Sequence, residues 1–242
     1  MKVTAIIPAR FESKRFPGKA LTDIQGKTMI QRVYKQVQKS DLIDSVHVAT
    51  DSDAIRTSIE EIDGNVIMTS EKCSSGTDRV AEAARTLHLA ADDVVINIQG
   101  DQPFLDPECL NDLVRAFVKT PGLKMGTLAH GITDDEEITN PNNVKVIFDS
   151  DNFAIYFSRA KIPFNRDNTQ DTLYYKHIGI YAYSNSFLQE FTDLPYSSLE
   201  NIEKLEQLRV IESGHSIQVT VTDFDSPSVD DPADIEKIVA TP

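Results

Sequence analysis

Two kinds of apolar pattern alternate along the first fifty residues, and this alternation limits the chain to one class of fold. Residues 3–7 are an apolar, β-branched run typical of a buried strand, and Pro8 predicts its end because proline cannot donate to a sheet ladder. Apolar residues at helical spacing follow in 29–37, and residues 45–50 are a second strand-like run. Strand, helix and strand in this order form a βαβ unit, which predicts an open α/β sheet with parallel strands.

The same alternation continues to about residue 117. Helices are predicted from residue 53 onward, in 76–87 and in 110–117, and strands in 65–68 and 93–99. Residues 93–99 are apolar on both faces, which predicts a central strand.

From residue 124 onward, strand follows strand. Extended runs occupy 124–129, 143–148, 153–159 and 176–183. This order predicts antiparallel pairing and a smaller α+β lobe, at about 124–195, inserted into a single domain of residues 1–242. Beyond it we predict one helix in 198–213, a strand in 216–223 and a last helix that starts near Pro232.

The composition of the chain argues against several classes of function. The 242 residues carry a formal net charge of −14, which argues against nonspecific nucleic-acid binding. With no run of membrane-spanning length and no signal segment at the N-terminus, we expect a cytoplasmic protein that does not bind membranes. Cys73 and Cys109 are too few for a disulfide framework or a zinc site, and neither is our candidate nucleophile.

A basic loop follows the first strand of this acidic chain. Arg10, Lys14, Arg15 and Lys19 lie within ten residues, with Glu12 as the one acid. Ligands of open α/β sheets bind beyond the carboxyl ends of the strands, so the loop predicts a pocket for an anion. The alternative is a solvated basic loop.

A second anion-binding element is predicted where the third strand leads into a helix. Residues 73–77 are small, and the free N–H groups at a helix start favour negative charge. A plain helix cap by Ser75 or Thr77 is the alternative.

Two acidic residues are candidate magnesium ligands. Asp101 follows the predicted central strand, between a glycine and a proline, and Mg²⁺ is usually held by one or two carboxylates together with substrate phosphates. Asp230 precedes the last predicted helix. The alternatives are a turn-forming role for Asp101 and a capping role for Asp230.

Polar side chains on the later elements suggest a second binding region. The guanidinium of Arg159 suits a carboxylate, whereas His177 alone is weak evidence because a histidine on an apolar strand is usually a core residue. Glu206 and Gln207 lie beside the apolar stripe of their helix and could face a ligand or the solvent.

Short segments spread over nearly the whole chain carry a resemblance to a known family. They are Ile7-Pro8-Ala9-Arg10, Ser13, Arg15, Pro17-Gly18-Lys19, Gly76-Thr77-Asp78-Arg79, residues 97–101, Tyr156-Phe157-Ser158-Arg159-Ala160, His177-Ile178-Gly179-Ile180-Tyr181, Leu205-Glu206-Gln207-Leu208-Arg209 and Val229-Asp230. In this order they resemble the CMP-Kdo synthetases, the 3-deoxy-manno-octulosonate cytidylyltransferases. The set is specific, whereas any one segment alone is weak.

The resemblance implies a three-layer nucleotidyltransferase, Rossmann-like with a mixed, mostly parallel sheet, and a lobe for dimerisation and sugar binding. It also implies a reaction of lipopolysaccharide biosynthesis, in which the anomeric hydroxyl of the acidic eight-carbon sugar Kdo attacks the α-phosphorus of CTP and pyrophosphate leaves. Mg²⁺ as cofactor and a homodimer are expected from the same source.

Carried over residue by residue, the resemblance assigns three groups. Nucleotide-binding positions are Pro8, Ala9, Arg10, Arg15, Lys19, Ser75, Arg79 and Asp101. Sugar-binding positions are Gln99, Arg159, His177, Tyr181, Glu206 and Gln207. Metal positions are Asp101 and Asp230, and these two with Arg10 and Lys19 are the predicted catalytic residues.

The sequence departs from the family pattern beside Asp101. The family's usual Gly-Asp-Glu-Pro is Gly-Asp-Gln-Pro here, with Gln102 in place of the glutamate. The loop in 163–175 also looks shorter than in the commonest members. Both features resemble relatives that use 8-amino-8-deoxy-Kdo. A cytidylyltransferase for another sugar acid, such as sialic acid, and a nonenzymatic CTP-sensing module remain as alternatives.

Overall fold

The structure is a computed structural model that describes residues 1–11, 16–167, 172–229, 231, 232, 234 and 235. Its strands are β1 (Val3–Ala9), β2 (Asp23–Ile24), β3 (Lys27–Thr28), β4 (Ser45–Thr50), β5 (Val66–Met68), β6 (Val94–Asn97), β7 (Met125–Ile132), β8 (Lys145–Phe148), β9 (Ala154–Ser158), β10 (Tyr174–Ser184) and β11 (Gln218–Val221). Its α-helices are α1 (Met29–Val37), α2 (Asp53–Glu60), α3 (Gly76–Thr86), α4 (Pro107–Lys119), α5 (Asp135–Thr139), α6 (Asn185–Asp193), α7 (Ser198–Glu203) and α8 (Gln207–Glu212). A short 3₁₀ helix spans Lys19–Leu21.

One nine-stranded sheet organises the chain, in the order β11-β7-β10-β6-β1-β4-β5, with β8 and β9 joined to it through β10. β1 pairs in parallel with β4 and β6, and β4 pairs in parallel with β5. β10 runs antiparallel to β6 and β7. The predicted mixed sheet, with the strand of residues 93–99 at its centre, is confirmed.

Helices cover both faces of this sheet, because the strands are apolar on both sides. Along β1, Val3, Ala5 and Ile7 pack with α1, α2 and α4, whereas Ile6 points to the other face and packs with α3, α6 and α8. The predicted three-layer architecture is therefore confirmed.

The predicted end of the first strand at Pro8 is wrong, since β1 continues to Ala9 and Pro8 pairs with Ala49. Residues 6 and 8 direct their backbone groups to the same side because the strand repeats every two residues. On that side, the Ile6 carbonyl accepts from the Ile98 N–H at 3.2 Å, and β6 has already ended at Asn97. The N–H that proline lacks would have had no ladder partner there.

The predicted single helix in 198–213 is also wrong. Lys204 has left-handed backbone angles (φ 55°), which end α7, and α8 begins at Gln207.

The sequence analysis missed α5 and α6. In α6 the signals were the Ser184 cap and the helical spacing of Phe187, Leu188 and Phe191. Most of the last predicted helix lies outside the described residues.

Antiparallel pairing after residue 124 is observed, but β7 and β10 belong to the main sheet. Among the described strands after residue 124, β8 and β9 form a hairpin that lies to the side of the main strand order. The limits of the predicted lobe stay a prediction. None of the helices in the described part of the chain has the length and apolar content needed to cross a membrane.

Candidate active site

A first cavity of about 310 Å³ lies beyond the carboxyl ends of β1 and β6, against the start of α3. It is lined by Pro8, Ala9, Arg10, Lys19, Ala20, Cys73, Ser74, Ser75, Gly76, Arg79, Gln99, Gly100 and Asp101. This is the position where open α/β sheets bind ligands.

The basic loop returns to this cavity through a tight turn. Gly18 has a positive φ of 72°, which favours glycine, and its N–H donates to the Phe11 carbonyl at 3.2 Å. The turn places Lys19 at the cavity, where its Nζ lies 2.6 Å from Oδ2 of Asp101. Arg10 is exposed and carries its charge at the cavity wall.

The start of α3 forms the opposite wall. The Ser75 side chain accepts from the Asp78 N–H at 3.1 Å, and the Asp78 side chain accepts from the Ser75 N–H at 3.1 Å. Helix caps of this kind fix the first turn. The predicted cap by Ser75 is therefore observed, and Ser75 and Gly76 also line the cavity. The binding of an anion at this helix start stays a prediction.

Arg79 lines the same cavity but is held within the protein. Its guanidinium donates to Asp51 Oδ2 at 2.6 Å and to Thr69 Oγ1 at 2.5 Å. Only 4% of the residue is exposed. Arg79 therefore joins α3 to the ends of β4 and β5, and any contact with a ligand comes in addition to these bonds.

A second cavity of about 450 Å³ adjoins the first, and Gln99 and Asp101 line both. Its other lining residues are Gln102, Asn142, Asn143, Val144, Arg159, Lys176, His177, Ile178, Gly179, Tyr181, Lys204, Leu205, Glu206, Gln207, Ser226, Pro227 and Ser228. Two ligands bound in the two cavities would therefore meet at Asp101.

The guanidinium of Arg159 donates to backbone carbonyls and is not paired with a carboxylate among the described residues. Its Nε donates to the Glu203 carbonyl at 2.8 Å and its Nη1 to the Pro141 carbonyl at 3.0 Å. Within the described ranges, no carboxylate oxygen lies within 4.0 Å of the guanidinium. An anionic ligand group would supply that partner.

His177 and Tyr181 form an uncharged wall of the second cavity. The Nε2 of His177 lies 2.9 Å from Thr127 Oγ1, and burial lowers the pKa of His177 to about 3, so the ring is neutral near pH 7. Burial, and to a smaller extent Glu206, raises the pKa of Tyr181. Both side chains are therefore uncharged near pH 7 and can form hydrogen bonds.

The break between α7 and α8 brings Glu206 and Gln207 to the second cavity, and their contact with a ligand stays a prediction. The Glu206 carboxylate accepts from Thr77 Oγ1 at 2.7 Å. The Nε2 of Gln207 is buried and has no hydrogen-bond partner in the described part of the chain. Such a group is satisfied when a ligand accepts from it.

Every predicted site residue that the structure describes lines one of the two cavities. Arg15 and Asp230 lie outside the described residues. The sequence analysis did not assign Lys176, Asn142 or Asn143, which also line the second cavity. A lysine on an otherwise apolar strand was the available signal for Lys176.

Asp101 meets the first requirement of a magnesium ligand. Its side chain is 29% exposed at the junction of the cavities, and one carboxylate can suffice when substrate phosphates complete the coordination. No cluster of three acidic, histidine or cysteine side chains suited to a metal occurs among the described residues. Val229, the residue before Asp230, donates its N–H to the Asp101 carbonyl at 2.9 Å.

The two thiols are poorly suited to act as nucleophiles. Burial and the nearby Glu82 raise the pKa of Cys73 to about 11, and burial raises the pKa of Cys109 to about 12. Both thiols are protonated near pH 7, and a thiol in this state is a poor nucleophile.

A mixed α/β sheet of this kind, with two cavities that meet at one carboxylate, has the architecture of a nucleotidyltransferase. The comparisons with known proteins identify the group within this class. A family model described as cytidylyltransferase matches residues 4–217, and the chain belongs to this family. It is therefore an enzyme that uses CTP.

Two curated relatives match the chain over almost its full length. A 3-deoxy-manno-octulosonate cytidylyltransferase of Desulfatibacillum aliphaticivorans is 50% identical over 99% of this chain and 98% of its own. An 8-amino-3,8-dideoxy-manno-octulosonate cytidylyltransferase of Shewanella frigidimarina is 50% identical over 98% of this chain and 97% of its own.

Solved structures agree with this assignment. A CMP:2-keto-3-deoxy-manno-octonic acid synthetase complexed with CTP is 39% identical, covers 99% of this chain and 98% of its own, and superposes with a TM-score of 0.92. A cytidylyltransferase of Leptospira borgpetersenii is only 18% identical and shares the fold, with a TM-score of 0.64.

Proposed function

We propose that this enzyme transfers the cytidylyl group of CTP to the anomeric hydroxyl of a 3-deoxy-manno-octulosonate sugar, either Kdo or 8-amino-8-deoxy-Kdo. The products are the CMP-sugar and pyrophosphate. The observation that carries the proposal is the junction of the two cavities at Gln99 and Asp101, because a direct transfer needs both substrates at one place.

The first cavity suits the triphosphate. Arg10, Lys19 and the N–H groups at the start of α3 converge there. Positive groups aimed at the phosphates offset the negative charge that grows on pyrophosphate as it leaves. No side chain has to form a covalent intermediate in this reaction.

The second cavity suits an acidic sugar. Arg159 can pair with the sugar carboxylate, and the neutral His177 and Tyr181, with Glu206 and Gln207, offer hydrogen bonds to hydroxyl groups. These groups would hold the acceptor with its anomeric hydroxyl toward Asp101.

The proposal includes Mg²⁺ held by Asp101, with Asp230 as the second carboxylate. When bound, the ion would offset phosphate charge and lower the pKa of the attacking hydroxyl. The bond from Val229 to Asp101 supports the pairing, because it brings the chain to Asp101 one residue before Asp230. The ion pair between Lys19 and Asp101 orients the carboxylate.

The sequence identities do not separate the two acceptors, since relatives named for each sugar are 50% identical to this chain. Gln102 favours the 8-amino sugar on the resemblance noted above.

Pyrophosphate release with CTP and Mg²⁺ tests the function and the acceptor together. We expect turnover with Kdo or its 8-amino analogue, and a higher kcat/KM for one of the two. Turnover only with sialic acid would contradict the sugar assignment. CTP binding without pyrophosphate release with any acceptor would indicate a nonenzymatic module.

We further propose that the enzyme works in the cytoplasm, as a homodimer, and supplies lipopolysaccharide biosynthesis. These expectations rest on the resemblance to the CMP-Kdo synthetases. Exposed apolar side chains in the predicted lobe, such as Ile155 and Phe164, offer a surface for the second copy.

A further inference from the structure

One hydrogen bond joins the two halves of the site. The Thr77 hydroxyl donates to the Glu206 carboxylate at 2.7 Å, across 129 positions of sequence. Thr77 is 4% exposed and lies in the first turn of α3. Glu206 is partly buried, and hydrogen bonds to charged groups are among the stronger ones, so this contact fixes one element against the other.

One end of this bond lies next to residues of the first cavity, and the other end lines the second cavity. Ser75 and Gly76, directly before Thr77, line the first cavity, and Glu206 lines the second. The bond therefore links the helix start beside the first cavity to a carboxylate of the second cavity.

We propose that Thr77 is a positioning residue, which aims the Glu206 carboxylate at a hydroxyl or ammonium group of the acceptor and ties acceptor binding to the start of α3. The inference rests on the function proposed above. Thr77 itself lines neither cavity.

Arg209, the nearby cation, does not hold the Glu206 carboxylate as closely as Thr77 does. Arg209 is the cation close to Glu206, but its Nη2 lies 3.9 Å from Glu206 and 2.6 Å from Glu200. Arg209 is thus engaged chiefly with Glu200, which it also contacts through Nε at 2.8 Å. The 2.7 Å hydrogen bond from Thr77 is therefore a closer contact to the Glu206 carboxylate than that of Arg209.

The charge state of Glu206 provides a readout. Burial raises the pKa of Glu206, while bonds from Thr77 and Ser75 and the charge of Arg209 lower it. The ionisable and charged groups that face it are Asp78 on α3, Arg209 on α8, and Tyr181 and Tyr183 on β10. Removal of the Thr77 hydroxyl should raise the pKa of Glu206 further, because it removes a bond to the charged form.

The test compares Thr77→Val, which loses the hydroxyl at similar volume, with Thr77→Ser, which keeps it. We expect Thr77→Val to raise the acceptor KM about tenfold, with the KM of CTP changed less than about threefold. The acid limb of kcat/KM for the acceptor should move to higher pH in Thr77→Val and stay in place in Thr77→Ser. Thr77→Ala gives the same comparison if Thr77→Val does not fold.

Thr86→Val is the matched control, since Thr86 lies on the same helix and its hydroxyl donates to the Glu82 carbonyl, away from both cavities. In a Glu206→Ala background, the effect of Thr77→Val on the acceptor KM should vanish. An undiminished tenfold effect in that background, or equal rises in both KM values, overturns the inference. If none of the acceptors leads the wild-type enzyme to release pyrophosphate, the proposed function itself fails.

Discussion

At the scale of single residues, the cations of this site differ in what already holds them. Lys19 is paired with Asp101 and Arg79 with Asp51, whereas Arg159 is held through backbone carbonyls. A carbonyl restrains a guanidinium without cancelling its charge. Arg159 therefore remains able to pair with a second anion, such as the carboxylate of the acceptor.

Arg159→Ala should raise the acceptor KM by tenfold or more and change the KM of CTP much less, because Arg159 lines only the second cavity. Steady-state kinetics with each substrate varied in turn would measure this. Arg115→Ala is the control, since Arg115 lies on α4 and forms exposed ion pairs with Glu108 and Asp112. Equal increases for both substrates would contradict a specific acceptor role.

Single residues were the most predictable part of the site, because their chemistry is visible in the sequence. The cations of the first loop and Asp101 were predicted from charge and position alone. Their partners were not predictable in this way. Nothing in the sequence pairs Arg79 with Asp51, because this contact depends on how α3 packs against the end of β4.

At the scale of elements, a buried lysine shapes one wall of the second cavity. Lys145 at the start of β8 is fully buried, and its Nζ donates to the carbonyls of Asn140 and Asn143 at 2.9 and 2.5 Å. Burial, followed by the charge of Arg159, lowers the pKa of Lys145. The turn in 140–143 is thus held by Lys145 from one side and by Arg159 from the other.

Lys145→Met should destabilise the protein by about 1–3 kcal/mol, because it keeps the buried stem but leaves two carbonyls without their donor. Urea unfolding followed by circular dichroism would measure the change. Lys39→Met, at an exposed position, should stay within about 0.5 kcal/mol of the wild type. A loss of unfolding free energy no larger than that of Lys39→Met would show that other contacts hold the turn.

Elements were predictable where their apolar period is regular and less so where tertiary packing decides. The central strand and α1 follow their patterns closely. The break at Lys204 has no glycine or proline to mark it, so local sequence does not reveal its left-handed backbone. The extension of β1 through Pro8 depends on where β6 ends, which local sequence does not reveal.

At the scale of the whole molecule, the sheet brings both cavities to one carboxylate. Asp101 follows the central strand, so it lies between the parallel half that carries β1 and β4 and the antiparallel half that carries β10. The first half supplies most of the walls of the first cavity and the second half most of those of the second cavity. A change at Asp101 should therefore affect the reaction more than the binding of either substrate.

Asp101→Asn should abolish turnover while CTP binding persists, since Arg10, Lys19 and the start of α3 remain at the cavity and Lys19 loses a competing anion. CTP that binds the folded state raises the thermal midpoint, by an amount equivalent to about 2.7 kcal/mol at 100 times Kd. We expect such a shift, measured with CTP alone, in both the wild type and Asp101→Asn. Asp41→Asn, at an exposed position, should retain both turnover and the shift. Wild-type turnover in Asp101→Asn would refute the metal role, because an amide lacks the negative charge that a magnesium ligand contributes.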